Sequence, residues 1–208
     1  MEPGLLNVEM LLSAYSMGVF PMADPDLNNE IFWYSPEERA ILPLDERFKV
    51  RKSLTKVIRQ ERFEVRYDTV FREVMEACSA PRKDDELTWI SQEIIDIYCE
   101  LFDLGFAHSV EVWQDNQLKG GLYGVSLGGV YCGESMFSKA PYASQVALYH
   151  LHQTIKQSDY SVLDIQFVNP HLLQFGAYEV KRDEYEMMIK DAVLETKTWN
   201  PYFYSAQD

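Results

Sequence analysis

The stretch that decides the fold runs from His108 to Ser138 and reads HSVEVWQDNQLKGGLYGVSLGGVYCGESMFS. Residues of high β-propensity fill it, interrupted by a polar turn and by glycine pairs at 120–121 and 128–129. This pattern predicts adjacent antiparallel strands that break at the glycine pairs. Glu134 lies among small and apolar residues near the end of the stretch. Because an unpaired buried carboxylate is costly, Glu134 is a candidate site residue, with a salt-bridged structural carboxylate as the alternative.

Helical patterns flank these strands on both sides. Predicted helices cover residues 7–18, 51–60, 68–79, 91–105 and 142–156 and two segments that begin at Asn169 and Asp183, and predicted strands cover 63–67 and 161–167. The N-terminal signals of five helices are Asn7, Asp68, Ser91, Asn169 and Asp183. Residues 81–86 form a predicted surface loop. This order of elements predicts an α+β fold with a mixed sheet.

The first 38 residues differ from the rest of the chain. After the first predicted helix come two short segments rich in aromatic residues and proline, at 19–22 and 31–36. Such segments are typical of short strands or loops that pack a small unit against a larger one. We therefore expect a small N-terminal α/β domain at residues 1–38 and a larger domain at residues 39–208.

The charge of the chain is acidic overall but unevenly distributed. The 208 residues carry a formal net charge of −14, which argues against a protein that coats nucleic acid. Between residues 47 and 72, however, nine Lys or Arg stand against three acidic residues. A basic island of this size suits contact with a short stretch of phosphate backbone. A solvated helix face that serves only solubility is the other interpretation.

Composition restricts the compartment and the cofactors. The chain has 47% hydrophobic residues, as folded globular proteins do, and no apolar run of the roughly 20 residues that span a bilayer. Its first residues lack the pattern of a signal peptide. Cys78, Cys99 and Cys132 are scattered, which predicts reduced thiols in a cytoplasmic protein. The four histidines show no metal-ligand spacing, so we expect no metal.

Nearly the whole chain is covered by short segments that match the motifs of one protein family, in the same order and at compatible spacing. The matches are Leu11-Leu12-x-Ala14-Tyr15-x-x-Gly18-Val19-Phe20-Pro21, Trp33-x-Ser35-Pro36, Arg39-Ala40, Thr88-Trp89-Ile90, the stretch 108–138, Asp164-x-Gln166, Asn169, His171, Gly176 and Ala177. Each match alone is weak. Together they show that the chain resembles the leucyl/phenylalanyl-tRNA–protein transferases.

The resemblance implies an activity, a fold and a set of partners. Members of that family transfer Leu or Phe from its charged tRNA to the N-terminus of proteins that begin with Lys or Arg, which creates a degradation signal of the bacterial N-end rule. Their catalytic body is similar to the GCN5-related acyltransferase fold, with a smaller N-terminal domain. No metal or organic cofactor is implied, because the aminoacyl ester is already an activated donor. The implied partners are leucyl-tRNA, phenylalanyl-tRNA and the acceptor protein.

The resemblance, together with strand geometry, indicates three catalytic residues. Asp164 and Gln166 are two apart on a predicted strand, so their side chains share a face. Gln166 offers a carbonyl that can hold the acceptor amine, and Asp164 can orient Gln166 or help the proton leave. Glu134 would lie near the substrate amines or near the cationic acceptor residue, which an acidic wall favours. The alternative for Asp164 and Gln166 is a buried strand with two satisfied polar groups.

An apolar slot for the aminoacyl side chain is implied by the same resemblance. It would admit Leu, Phe and also Met, and it would separate them weakly, by about 1–3 kcal/mol per methylene. Its lining would be Leu122, Tyr131, Met136, Leu148, Leu151 and Ile155. Each of these six residues fits an ordinary core position as well as it fits the slot.

The terminal adenosine of the tRNA is expected to stack on aromatic side chains. Tyr15 and Trp89 match the family positions, and Tyr98 is a further candidate. Two positions depart from the family pattern. Met22 stands where Trp is frequent, so either the stacking on the base is weaker or another aromatic residue such as Trp33 substitutes for the Trp. Gln145 stands where Lys is expected, which puts one phosphate contact in doubt.

Two other functions fit parts of the sequence. An acyl-CoA-dependent N-acetyltransferase cradles pyrophosphate with an Arg/Gln-x-x-Gly-x-Gly/Ala turn. The nearest segment here, residues 117–122, ends in Leu122, whose bulk would crowd the phosphate. A non-catalytic module that binds basic N-termini is the second rival, and the Asp164-x-Gln166 pair argues against it.

Overall fold

A computed structural model of the chain describes residues 6–81 and 87–203. Its helices are α1 (Val8–Ser16), α2 (Lys52–Arg59), α3 (Phe71–Ser79), α4 (Gln92–Asp103), α5 (Ala143–Gln157), α6 (Pro170–Leu173) and α7 (Arg182–Ala192). Its strands are β1 (Phe20–Asp24), β2 (Glu30–Tyr34), β3 (Glu38–Ile41), β4 (Glu64–Tyr67), β5 (Ala107–Gln114), β6 (Gln117–Leu127), β7 (Val130–Ser138), β8 (Val162–Gln166) and β9 (Tyr178–Lys181). The surface loop predicted at 81–86 lies outside the described residues from position 82 onward.

Seven strands form one mixed sheet in the order β4-β5-β6-β7-β8-β3-β9. Every neighbouring pair is antiparallel except β7 and β8, which are parallel. β1 and β2 form a separate two-stranded antiparallel sheet. The α+β class with a mixed sheet is therefore confirmed, and so are the strands predicted within the stretch 108–138.

One predicted strand break is wrong. β6 runs through Gly120, and the chain turns instead at Asp115 and Asn116, whose φ angles are 51° and 56°. Two consecutive positive φ angles are what a two-residue hairpin turn requires. A Cβ at Gly120 would lie 2.6 Å from the Cβ of Ala143 at the start of α5. The glycine therefore allows α5 to pack closely on the sheet, while the second glycine pair does separate β6 from β7.

Three of the five predicted helix starts are confirmed by capping hydrogen bonds. The side chains of Asn7, Ser91 and Asn169 accept the backbone N–H groups of Met10, Ile94 and Leu172, respectively. Each bond satisfies one of the N–H groups that an α-helix leaves without an internal partner. These caps fix where α1, α4 and α6 begin.

The other two predicted caps are wrong. At the start of α3, the buried carboxylate of Glu111 on β5 accepts the N–H groups of Thr69 and Val70. Asp68 binds residues of β5 instead. Asp183 lies within the first turn of α7, which follows β9, a four-residue strand that the sequence pattern did not indicate. In both cases the helix begins where tertiary contacts place it.

Two apolar cores cover opposite faces of the seven-stranded sheet. The first contains residues of α1, α3, α4, α7 and the β1–β2 hairpin, and the second contains residues of α2, α5 and α6. Side chains alternate between them: on β7, Val130 and Cys132 belong to the first core and Tyr131 to the second. Leu11 and Phe20 lie in the first core. The domain boundary at residue 38 stays a prediction.

Two further properties concern the described ranges. None of their helices has the length and hydropathy that crossing a bilayer demands. Within the same ranges, no three side chains of His, Cys, Asp or Glu are grouped so as to hold a metal ion.

Candidate active site

The parallel strands β7 and β8 separate near the middle of the sheet. They pair only at residues 130–132 and 162–164. Each strand also contains a bulge: Glu134 is the extra residue of β7 opposite β6, and Ile165 is the extra residue of β8 opposite β3. Bulges redirect side chains and are frequent next to active sites. The gap between the two strands is therefore the first candidate for a site.

A cavity of about 200 Å³ lies at this gap. Its lining includes residues of both cores, because the separated strands leave an opening in the sheet. Seven predicted site residues line it: Trp89, Leu122, Glu134, Met136, Leu148, Leu151 and Gln166. The cavity thus brings together two of the three predicted catalytic residues and four of the six predicted slot residues.

Asp164 is fully buried next to this cavity, in a group that we call the anchor cluster: Arg39, Asp164 and Tyr185. Arg39 donates from Nε to Oδ1 at 2.9 Å and from Nη2 to Oδ2 at 2.6 Å. The hydroxyl group of Tyr185 donates to Oδ2 at 2.8 Å. Oδ1 also accepts the backbone N–H of Gln166 at 2.9 Å. Asp164 is therefore a paired carboxylate that holds the backbone carrying Gln166.

Gln166 has an unusual backbone conformation. Its φ angle is +55°, in the left-handed region that few residues other than glycine adopt. The predicted shared face with Asp164 assumed regular alternation, which the bulge at Ile165 and this φ angle interrupt. The backbone hydrogen bond links the two residues instead. The side chain of Gln166 donates from Nε2 to Oε1 of Glu134 at 3.3 Å, so the predicted pair becomes a group of three.

Glu134 has a different environment from Asp164. The hydroxyl group of Tyr15 donates to its Oε1 at 2.7 Å, and no ion pair formed by the described residues includes Glu134. Burial raises the pKa of Glu134 to about 8; the hydrogen bond from Tyr15 and the charge of Arg39 oppose this shift, and the charge of Asp164 adds to it. A carboxyl group with this pKa exchanges a proton near neutral pH, which suits general acid–base chemistry.

Tyr15 and Tyr98 lie in the first core and not at the surface. They are 3% and 0% exposed, and their hydroxyl groups are hydrogen-bonded at 2.5 Å. Because stacking a base on either ring would require opening the core, their placement does not support the adenosine contact predicted from the sequence. They form a chain of hydroxyl groups that leads to Glu134.

The other predicted adenosine contacts lie at or near the cavity. Trp89 lines it, and its carbonyl accepts the N–H of Ala23 on β1 at 3.1 Å, which joins the β1–β2 hairpin to the cavity wall. Met22 on β1 is partly buried, and Trp33 on β2 is 39% exposed. Neither of these two residues is part of the cavity lining. The hairpin therefore lies beside the cavity, and Trp89 is one of its contacts with the cavity wall.

Phe167 is a cavity residue that the sequence pattern did not predict. This residue lines the cavity, is 47% exposed, and packs edge-on against Phe20 with a centroid distance of 5.7 Å. Ile165 and Leu172 add to the apolar lining and were missed as well. No periodicity indicates Phe167, because its position depends on the bulge at Ile165. Its place directly after Gln166 was the only signal in the sequence.

Two predicted slot residues lie away from the cavity. The hydroxyl group of Tyr131 donates to the carbonyl of His108 at 3.1 Å, and its ring stacks on Trp199. Ile155 is fully buried in the second core. Both occupy core positions, the alternative that the sequence left open for every slot residue.

The basic island includes α2, a helix of the second core. Lys52, Lys56 and Arg59 are exposed on this helix, and no ion pair between described residues involves them. The paired cations of the island are Arg47 with Asp45, Arg66 with Glu64, and Arg72 with Asp96. α2 thus carries positive charge that nearby acids do not neutralise. Gln145, the position of the expected Lys, lies in the first turn of α5.

Comparison with known proteins gives matches along most of the chain. The family model described as leucyl/phenylalanyl-tRNA protein transferase matches residues 41–190, and the model of the N-terminal domain of leucyl/phenylalanyl-tRNA protein transferase matches residues 4–37. A protein named leucyl/phenylalanyl-tRNA--protein transferase from Herpetosiphon aurantiacus is 51% identical over 93% of this chain and 98% of its own length. One of the same name from Paramagnetospirillum magneticum is 50% identical over 92% of this chain and 91% of its own length.

Among solved structures, a conserved protein of unknown function from Bacteroides thetaiotaomicron superposes with a TM-score of 0.45 and 8% sequence identity. The superposition covers 83% of this chain and 58% of that chain.

Proposed function

The chain belongs to the leucyl/phenylalanyl-tRNA protein transferase family, whose members are aminoacyltransferases, and from this premise we propose its reaction. It transfers Leu or Phe, with Met as a further donor, from aminoacyl-tRNA to the N-terminal amine of proteins that begin with Lys or Arg. The observation that carries the proposal is the cavity between β7 and β8. It holds a carboxyl group of raised pKa beside an amide side chain and an apolar slot.

The reaction requires that one proton be moved. The amine nitrogen attacks the carbonyl carbon of the ester, the C–N bond forms, and the bond to the ribose oxygen breaks. One proton leaves the amine and one reaches the ribose oxygen, so a group that accepts and then returns a proton balances the step. Ionised Glu134 is the candidate for that group, because it lines the cavity and its pKa is about 8.

Gln166 and Asp164 have different parts in this proposal. Nε2 of Gln166 is directed to Glu134, which leaves its side-chain carbonyl to accept a hydrogen bond from the amine. The carboxylate oxygens of Asp164 already accept hydrogen bonds from Arg39, Tyr185 and the backbone of Gln166. Asp164 is therefore assigned the orienting role and not the proton transfer.

Two parts of the donor, its aminoacyl side chain and its adenosine, are proposed to contact different residues of the cavity lining. Its aminoacyl side chain fits the apolar lining formed by Leu122, Met136, Leu148 and Leu151. Its adenosine stacks on Trp89, the one predicted aromatic contact that lines the cavity. The tRNA backbone contacts the exposed cations of α2, with no reading of the tRNA body sequence.

The preference for Lys or Arg at the acceptor N-terminus is proposed to come from charge. Such a terminus carries a cationic side chain in addition to its amine, and Glu134 is the carboxyl group that the cavity presents to it. The net charge of −14 adds a general attraction for cationic termini. The product would carry a degradation signal of the N-end rule. The scattered cysteines, which form no disulfide bond among the described residues, support a cytoplasmic location for this reaction.

The experiment mixes purified protein with radiolabelled leucyl-tRNA or phenylalanyl-tRNA and an acceptor protein that begins with Arg, without CoA. We expect label at the new N-terminus of the acceptor. The same acceptor beginning with Ala is the control for specificity, and free acetyl-CoA in place of the tRNA tests the acetyltransferase alternative. Absence of transfer from both tRNAs, with charging confirmed, would contradict the proposed function.

Gln166→Ala tests the assignment of the amide within the same assay. We expect transfer to fall by about 100-fold, the lower end for removing a group that positions a reacting atom. Gln174→Ala serves as the matched control, because the side chain of Gln174 is hydrogen-bonded to His171, three residues earlier, and does not line the cavity. Unchanged turnover and unchanged acceptor binding in Gln166→Ala would remove Gln166 from the reaction.

A further inference from the structure

We infer that Tyr15 is a positioning residue, whose hydroxyl group holds the carboxyl group of Glu134 in place for proton transfer and favours its ionised form. The inference rests on the proposed function, since it concerns the group assigned to the proton transfer. It gives the N-terminal segment of the chain a part in a cavity that the larger unit lines.

α1 brings the hydroxyl group to Glu134. The helix is fixed at its start by the cap at Asn7, and the chain leaves it at Gly18, whose φ angle is +76°. A Cβ at Gly18 would lie 2.8 Å from the ring of Tyr185, so the end of α1 is held against the anchor cluster. Tyr15 therefore reaches Glu134 from a helix that is fixed at both ends.

A second hydroxyl group fixes the direction of the first. Tyr98 on α4 is fully buried, and its hydroxyl group lies 2.5 Å from that of Tyr15. Because Tyr15 donates its own proton to Glu134, its oxygen is left to accept the proton of Tyr98. The order of donation is then Tyr98 to Tyr15 to Glu134. Both rings are locked by the first core, so the geometry is held before substrate arrives.

Tyr15 is also always a donor in the working pH range. Burial, and then the charge of Glu134, raise the pKa of Tyr15 well above its ordinary value, so its proton stays in place. The charges that act on Glu134 are those of Asp164 and Arg39. The charge of Glu134 in turn helps to raise the pKa of four other buried groups that surround it: Tyr98, Tyr123, Tyr131 and Cys132. Among the described residues, the hydrogen bonds to the carboxyl group of Glu134 come from Tyr15 and Gln166.

The direction of the effect follows from these contacts. A hydrogen bond to a carboxylate favours the ionised form, and the one from Tyr15 lowers the pKa of Glu134. Removing this hydroxyl group would therefore raise the pKa of Glu134 above about 8 and leave less of the ionised form at neutral pH. A merely structural tyrosine would change stability without moving this titration.

The test compares Tyr15→Phe with the wild type in two measurements. The first is the pH dependence of transfer from phenylalanyl-tRNA to an Arg-initiated acceptor, as kcat and as KM for the acceptor. The second is the carboxyl ¹³C NMR titration of Glu134, assigned by its absence in Glu134→Gln, which needs no turnover. We expect both the rate profile and the titration to move upward by about one pH unit, the size expected for one hydrogen bond to a charged group.

Two further variants keep the comparison clear. Tyr160→Phe removes another buried hydroxyl group, which is bonded to Ser126 and is not part of the cavity lining, and it should leave both curves unchanged. Tyr98→Phe keeps Tyr15 but removes its donor, and it should move both curves in the same direction by less. If Tyr15→Phe does not fold, Tyr98→Phe carries the test alone.

The outcomes separate the inference from the proposed function. Transfer by the wild type with superimposable Glu134 titrations in wild type, Tyr15→Phe and Tyr98→Phe would overturn the inference and leave the proposed function standing. If the Glu134 titration lies higher in Tyr15→Phe than in the wild type, but the wild type transfers nothing, the proposed function is overturned and the contact between Tyr15 and Glu134 is supported. A rate profile and a titration that move together support both.

Discussion

Two carboxylates near the point where β7 and β8 separate have opposite environments. Asp164 is fully buried and accepts hydrogen bonds from Arg39, from Tyr185 and from the backbone of Gln166. Glu134 lines the cavity, has hydrogen bonds only from neutral groups among the described residues, and has a pKa raised to about 8. The first carboxylate is compensated within the fold. The protonation state of the second can change when substrate binds.

The difference in environment indicates different roles for the two carboxylates. A buried carboxylate that is paired with Arg keeps its charge and holds its neighbours, so it suits the fixing of Gln166. A carboxyl group that lacks a cation and is partly desolvated is costly for stability, and such groups cluster at functional sites. The bulge that makes Glu134 an extra residue in β7 directs it away from regular strand pairing. We therefore assign proton transfer to Glu134 and orientation to Asp164.

The largest expected effect comes from breaking the anchor cluster. Arg39→Met leaves the buried carboxylate of Asp164 without its cation, and we expect the free energy of unfolding to fall by about 3–5 kcal/mol. Urea unfolding at pH 7 measures it. Arg47→Met breaks an exposed pair with Asp45 and should cost less than about 1 kcal/mol. Equal losses in the two variants would contradict the view that Asp164 is held by its cation.

The next effect concerns turnover and not folding. Glu134→Gln keeps the shape of the side chain but removes its ability to accept a proton, and we expect transfer at neutral pH to fall by about 100-fold or more. Single-turnover assays with labelled phenylalanyl-tRNA measure it. Glu100→Gln, on the exposed side of α4, is the control and should keep full activity. Full activity in Glu134→Gln would place the proton transfer elsewhere.

A third effect links Glu134 to stability through pH. Its pKa is about 8 when folded and near the ordinary value of 4.5 when unfolded, so between these values only the folded chain keeps the proton. The free energy of unfolding therefore receives a contribution from Glu134 that falls as pH rises from about 4.5 to about 8. Glu134→Gln lacks this contribution and should become more stable relative to wild type across that window. Parallel curves from urea unfolding at several pH values would contradict the raised pKa.

The smallest expected effect concerns charge remote from the cavity. Replacing Lys52, Lys56 and Arg59 on α2 by Gln should weaken tRNA binding at low salt without changing stability. The slope of log Kd against log salt should fall by about 1 for each phosphate group that the variant no longer neutralises. Filter binding across a salt series measures it, with Lys190→Gln on α7 as control. An unchanged slope would mean that α2 serves only solubility.

Local signals in the sequence predicted much of this fold. The caps at Asn7 and Ser91 and the strands within 108–138 follow from residue type and spacing, which act over a few positions. The start of α3 did not follow, because its cap is Glu111, which lies about forty residues further along the chain. β9 was missed, although β4, a strand of the same length, was predicted from its alternation of polar and apolar residues.

Only part of the candidate site was predicted, again because short sequence patterns do not contain long-range contacts. Glu134 was found from its place among small and apolar residues, Gln166 from the family resemblance and its spacing from Asp164, and the cavity places the two together. The partners of Asp164 were not predicted, since Arg39 is 125 residues away and Tyr185 is 21 residues away. Nor did strand alternation predict the bulge at Ile165, two residues before Phe167. Contacts of this kind depend on sheet order, which no short pattern contains.

The pH profile of transfer in wild type and Glu134→Gln tests the central claim most directly. The acceptor amine titrates in the same range as Glu134 but contributes equally to both proteins. We expect the wild-type rate to rise with an additional ionisation near pH 8, and we expect this ionisation to be absent from the much slower Glu134→Gln. Profiles of identical shape in the two proteins would show that Glu134 is not the group whose ionisation controls the transfer.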